Sequence, residues 1–140
     1  GNGRVQREFI RQYAESSGHS LDFRFTTQGR MYEDSASSDR KDCTAMIRLF
    51  EECSAPDAVQ RLRGPYQAFS RKDGFQQLYF AHAYPGNPVT GTFVGKGNLE
   101  FVTQDSRTGA ITVTAIDDMP ADVSSKEFSF VAKTPLMQIE

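Results

Sequence analysis

The sequence predicts an α+β domain. Its expected frame is a strongly curved antiparallel sheet of about six or seven strands, mostly a carboxyl-terminal meander. An amino-terminal helix and two short helices would cover it. Three observations lead there. Before Pro65, apolar residues recur at helical spacing in separate stretches. After Pro65 they alternate in short runs divided by Gly, Asp, Asn and Pro turns. Core volume rests on 11 Phe and 5 Tyr with no Trp, and large flat side chains suit a sheet that needs a cover.

Residues 4–16 read as an amphipathic helix, with Val5, Phe9 and Tyr13 on one face and Gly18 as its stop. Arg4, Arg7 and Arg11 form a basic stripe on another face, suited to phosphates or an acidic partner or simply to solvent. Residues 21–27 alternate Leu21, Phe23 and Phe25 with polar residues and predict a half-buried strand. The polar run 28–37 predicts a loop. Ser38 or Asp39 can cap a second helix that runs to about Glu52, its apolar face built from Cys43, Met46, Ile47 and Phe50. Ser54-Ala55-Pro56-Asp57 then predicts a new helix start with Ser54 as cap, and Gly64-Pro65 its end.

From Tyr66 onward every segment reads as strand or turn. Residues 66–71 lead to a Lys72-Asp73-Gly74 turn, then to a long central strand over 75–84. Leu78, Phe80, His82 and Tyr84 share one face of it. Shorter strands are expected at 90–94, 99–104, 111–116 and 128–133. Short turns between neighbours predict antiparallel pairing throughout. The apolar end, Leu136 to Ile139, is expected to dock.

The 140 residues fit one domain, and the Gly1-Asn2-Gly3 start, without Met or a signal-like stretch, reads as cut from something longer. No apolar run approaches the ~20 residues of a spanning helix. Sixteen basic against eighteen acidic residues demote nucleic acid as a partner. Cys43 and Cys53 lie on one predicted helix, where ten residues rise ~15 Å. A disulfide needs Cα atoms within about 7 Å. Two free, mostly buried thiols are therefore expected, which points to a cytoplasmic address.

One strand, two short helices and six strands over residues 21–133 resemble the helix-grip order of START-like lipid-binding proteins. The Gly95-Lys96-Gly97-Asn98 turn is similar to that family's glycine-rich loop. The long carboxyl-terminal helix of that family has no counterpart, so the helix at 4–16 would close the cavity. The order also resembles the cone-shaped fold of the nuclear-transport-factor-like proteins, which include isomerases, dehydratases and secretion scaffolds. Neither resemblance carries functional residues over.

The residues hold no zinc, calcium or phosphate-loop spacing, so no cofactor or metal is expected. Asp117, Asp118 and Asp122 read as an acidic loop that keeps a hairpin soluble. The leading expectation is a non-catalytic binding or scaffold domain. It would engage another protein, a second copy or an apolar ligand through Phe80, Tyr84 and the Arg4, Arg7, Arg11 stripe. The alternative is a cavity enzyme of isomerase, cyclase or lyase type. There His82, kept neutral by apolar neighbours, would act as general base beside Tyr84 or Asp22. A cavity of ~300 Å³ or more with His82 pointing into it would separate the two.

Overall fold

A computed structural model describes residues 21–123 and 126–136, together with Glu8, Arg11, Gln12 and Glu15. Those four are helical, within the first helix the sequence predicts. Three helices follow: α1 (Gln28–Asp39), α2 (Thr44–Ser54) and α3 (Pro56–Phe69). Five strands make one open mixed sheet: β1 (Phe80–His82), β2 (Pro88–Lys96), β3 (Glu100–Gln104), β4 (Ile111–Ala115) and β5 (Phe128–Val131). The spatial order is β1-β4-β3-β2-β5. The class is α+β, as the sequence predicts.

Each departure from the predicted elements has a local cause. Residues 21–27 are not a strand. The Asp22 carboxylate accepts from the Arg24 amide (3.0 Å) and closes an Asx turn, while the Asp22 amide donates to the Cys53 carbonyl (2.8 Å). Leu21 still buries, against Met31, Leu49 and Cys53. The strand that opens the helix-grip likeness is thus missing. The predicted loop at 28–37 is helix α1, capped by Thr27, whose Oγ1 accepts from the Arg30 amide. Its buried side is Arg30, Met31 and Asp34, a mostly charged face that a hydrophobic pattern cannot reveal.

Helix α2 is rotated from its predicted face. Leu49, Glu52 and Cys53 bury, whereas Ile47 is 53% exposed. Both thiols are free, but Cys43 is exposed rather than buried, because it sits at the N-cap. Ala55, not Ser54, caps α3; the Ser54 hydroxyl instead donates to the Glu51 carbonyl.

Helix α3 runs through Gly64-Pro65 to Phe69, so residues 66–69 are helix rather than strand. Proline inside a helix costs a hydrogen bond. Here the turn beyond it is held by packing. Tyr66 lies edge-on to Phe75 and Phe80 at 5.3 and 5.8 Å between ring centroids, and Phe69 stacks on Phe75 at 6.1 Å. The expected strand at 75–84 shrinks to β1. Gly74, at φ +82°, turns the chain into a short 3-10 turn at Phe75–Gln77.

β1 pairs with β4 in parallel, Phe80 opposite Ile111 and His82 opposite Val113. The remaining pairs are antiparallel. Among the described residues the strands number five, against the six or seven expected, and the sheet is mixed because the 83–87 connection makes no hairpin. Its Gly86 amide donates to the Ala132 carbonyl (2.8 Å), tying the connection to the end of β5. The first half of β2 pairs with β5 and its second half with β3, with a bulge between Phe93 and Gly95.

The main core lies between α3 and the sheet: Leu62, Phe75, Phe80, Val102, Ile111 and Val113. Helix α1 packs on the 3-10 turn through Gly29, where an added Cβ would stand 2.3 Å from the Gln77 carbonyl oxygen. Helix propensity alone favours Ala over Gly by about 1 kcal/mol. The clash outweighs it: Gly29→Ala is expected to destabilise by about 1–3 kcal/mol in urea unfolding. A stabilised variant would disprove the close approach.

Candidate functional site

The polar centre of the molecule is a buried ion network. Arg30 on α1 is 3% exposed, and Asp34 and Glu52 are 1% and 2%. The Arg30 guanidinium donates Nη1 to Glu52 Oε1 (2.6 Å), Nη2 to Glu52 Oε2, and Nε to Asp34 Oδ2 (3.1 Å). The Tyr79 hydroxyl donates to Asp34 Oδ1 (2.8 Å), and the His82 amide donates to Glu52 Oε1 (2.8 Å). The guanidinium also lies over the Tyr79 ring, 5.5 Å from its centroid. Burial works against the Arg30 charge, but Glu52 outweighs it and holds the cation firmly protonated. Burial raises Asp34, and Arg30 and Tyr79 pull it only part of the way back. Burial likewise raises the Tyr79 phenol and pushes the Cys53 thiol up to about 12.

Above this network lies a cleft of about 340 Å³ between α2 and the sheet, with Arg30, Glu52, Tyr79 and Thr112 among its lining. Its rim is Arg48, Tyr84 and Asn87. The Arg48 guanidinium sits over the Tyr84 ring at 4.6 Å. The Asn87 amide, with its oxygen toward Arg48, accepts from both Nη atoms at 2.7 and 3.2 Å. The guanidinium is thus held between a ring and an amide, with Asp42 as an acid in the same lining. Among the described residues, no group of three or more His, Cys, Asp or Glu side chains is arranged to hold a metal ion.

The residues singled out from sequence scatter. His82 borders the cleft, but both its ring nitrogens are engaged: Nδ1 with the Ala83 carbonyl (2.8 Å) and Nε2 with Arg61 (3.4 Å). An arginine can only donate. The ring is therefore neutral, with its proton on Nδ1 and its lone pair on Arg61. Burial lowers its pKa further. Phe80 is wholly buried in the main core and offers no binding surface. Tyr84 does stand at a cleft, half-exposed. Arg11 is paired with Glu8 and Glu15 on its own helix. Arg4 and Arg7 lie outside the described residues. Asp22 pairs with Arg24, far in role from a partner for His82.

Asp118 is a clasp. Its Oδ2 accepts from the Lys133 and Thr134 amides (3.0 and 2.9 Å) and its Oδ1 from the Thr134 hydroxyl (2.9 Å). Burial opposes its charge, yet these donors hold its pKa below the usual value. Sequence reasoning missed Arg30, Asp34, Glu52, Arg48 and Arg61. One signal was present: Arg30 and Asp34 stand four apart behind a Thr27 cap, a helix pattern hidden inside a polar run.

No family model matches the chain. Over 125 residues, 87% of its length, it is 31% identical to the protein adenylyltransferase of Bartonella henselae (strain Houston 1). Among solved structures it superposes on the type IV secretion system effector protein BepA, with a TM-score of 0.80 and 28% identity over 96% of the chain. It spans 22% of the length of that adenylyltransferase and 47% of that BepA chain.

Removing one partner of a buried ion pair typically costs about 3–5 kcal/mol. Arg30→Met is expected to lose that much in chemical denaturation. Tyr79→Phe, which strips a donor from Asp34, should lose about 1–3 kcal/mol. A loss below ~1 kcal/mol for Arg30→Met would remove the network from its central place.

His82 sets a pH signature. Its pKa is lower folded than the ordinary 6.5, so the unfolded chain binds the extra proton. Its contribution is complete above pH ~6.5 and is lost as pH falls toward the folded value, by at most about 1.4 kcal/mol per unit. His82→Gln should flatten that part of the stability–pH curve; an unchanged slope would show that the ring is not buried neutral.

Proposed function

We propose that the chain is part of a secreted effector enzyme of the Fic-domain-like kind, transferring the adenylyl group of ATP to a hydroxyl of a target protein. The observation that carries this reading is the similarity to a protein adenylyltransferase over 87% of the chain, with the BepA superposition beside it. In such a transfer the hydroxyl oxygen attacks the α-phosphorus and pyrophosphate leaves. The hydroxyl proton passes to a base, and a protein–O–AMP ester remains.

The residues divide these tasks unevenly. His82 has its lone pair on Arg61 and is not the proton acceptor; we assign that role to a part of the larger protein outside this chain. What the chain offers is contact to phosphate. Gly1-Asn2-Gly3-Arg4, followed by Arg7, puts two glycines and two arginines in one short stretch, and backbone amides and guanidinium groups are the donors a polyphosphate takes.

The binding role read from the sequence stays within this proposal as the part played by the sheet half. Leu99 and Val131, each about half exposed, support a protein partner there. A strongly curved sheet and self-association belong to the same reading. We also place its action in a reducing cytoplasm, reached by type IV secretion. The free thiols of Cys43 and Cys53 and the likeness to a type IV secretion system effector protein support that placement.

The test uses the full-length protein and ATP labelled at the α-phosphorus. Label is expected on a target protein with α-labelled ATP and none with γ-labelled ATP. Arg4→Ala should lower transfer by about ten-fold or more, the worth of one charge-assisted hydrogen bond. No α-label on any protein, or label from the γ-position, would sink the reading.

A further inference from the structure

A third acid is buried, at the β2–β3 hairpin. Glu100, at the start of β3, is 8% exposed. It lines a cleft of about 370 Å³ between α3 and the β2–β3 hairpin. Two glycines make room for its carboxyl group. A Cβ on Gly97 would stand 2.3 Å from Oε2, and one on Gly64 3.7 Å from Oε1. The surrounding wall is hydrocarbon: Pro65, Ala68 and Phe69 from α3, Val94 and Val102 from the sheet.

This carboxylate lacks what Glu52 has. Burial raises its pKa, and among the described residues the amides of Glu100 itself and of Gly97 draw it back. Among the described residues no Lys or Arg forms an ion pair with it. Lys96 is the other charged side chain lining the cleft, and it is exposed on the hairpin. Helix α3 adds no charge to the lining, and the residue opposite on β4 is Ala115. A buried anion without a counter-ion is costly unless a cation is delivered to it.

We propose that the cleft between α3 and the β2–β3 hairpin binds a protonated amine or guanidinium carried on an aliphatic stem, with Glu100 as its counter-ion. The stem lies along Pro65, Phe69, Val94 and Val102. The head reaches the carboxylate between Gly64 and Gly97. A free alkylamine and a basic side chain of a partner protein present the same chemistry.

Saturation-transfer NMR on the full-length protein tests this with pentylammonium, agmatine, a capped Gly-Lys-Gly peptide, and pentanol as the neutral control. The cations are expected to bind and pentanol to bind at least ten-fold more weakly. Glu100→Gln should weaken the cations ten-fold or more. The unaltered protein gives an independent readout: cation affinity falls from pH 7 to pH 5 as the carboxyl group protonates. Binding by the amines but not the peptide assigns a small-molecule ligand, and the reverse a protein side chain; both uphold the site. Equal binding of pentanol, equal affinity in Glu100→Gln, pH-independent affinity, or no binding by any cation overturns it.

Discussion

The Arg30–Glu52 ion pair is the constraint on which the rest of the structure leans. It joins α1 to α2, and through the His82 amide and Tyr79 it reaches the sheet. Such a pair is favourable only when every remaining lone pair and proton is also satisfied. The surrounding contacts meet that condition. Gly29 lets α1 approach the Phe75–Gln77 turn, and the Thr27 hydroxyl donates to the Leu78 carbonyl (2.6 Å). Those contacts bring Arg30 within reach of Glu52. They also hold β1, only three residues long, where it can pair with β4. A strand that short has little register information of its own; the ion network supplies it.

The sheet's later strands were legible because alternation is a direct image of a one-sided or two-sided β surface. Residues 99–104, 111–116 and 128–133 alternate, and β3, β4 and β5 form inside those limits. The helix start at Pro56 was legible for the equivalent reason at a period of 3.6, whereas the helix expected from a Ser38 or Asp39 cap begins at Thr44. What stayed hidden was structure built on charge. Helix α1 turns Arg30 and Asp34 inward, so a rule that assigns charge to solvent reads the segment as loop. Glu52 looked like the polar end of an amphipathic helix. Pro65 misled for a different reason: the aromatic contacts of Tyr66 and Phe69 that carry α3 past it are long-range, and no local window contains them.

His82 shows that standing at a cleft is not the same as being free to act there. A cavity of ~300 Å³ or more with His82 pointing into it was the feature set to separate enzyme from binding module, and His82 borders a cleft of about 340 Å³. The lone pair decides chemistry, however, and Arg61, buried on α3, takes it. That partner is 21 residues away in the chain, invisible to spacing. The groups lining the cleft include Arg48, Tyr84 and Asn87, a cation, a ring and an amide, with the acid Asp42 beside them.

Glu52 and Glu100 make the final contrast. Both are buried carboxylates, and both accept from a backbone amide. Glu52 is closed off by a bidentate arginine, so its charge is spent inside the fold and can do nothing further. Glu100 faces a cleft walled by carbon, its carboxyl group set between Gly64 and Gly97. If Glu100 served packing alone, an apolar residue would fill its place at lower desolvation cost. If it served solubility alone, it would point outward. A buried carboxylate at the end of an apolar groove, with no cation paired to it among the described residues, is placed to recognise a positive charge that arrives from outside.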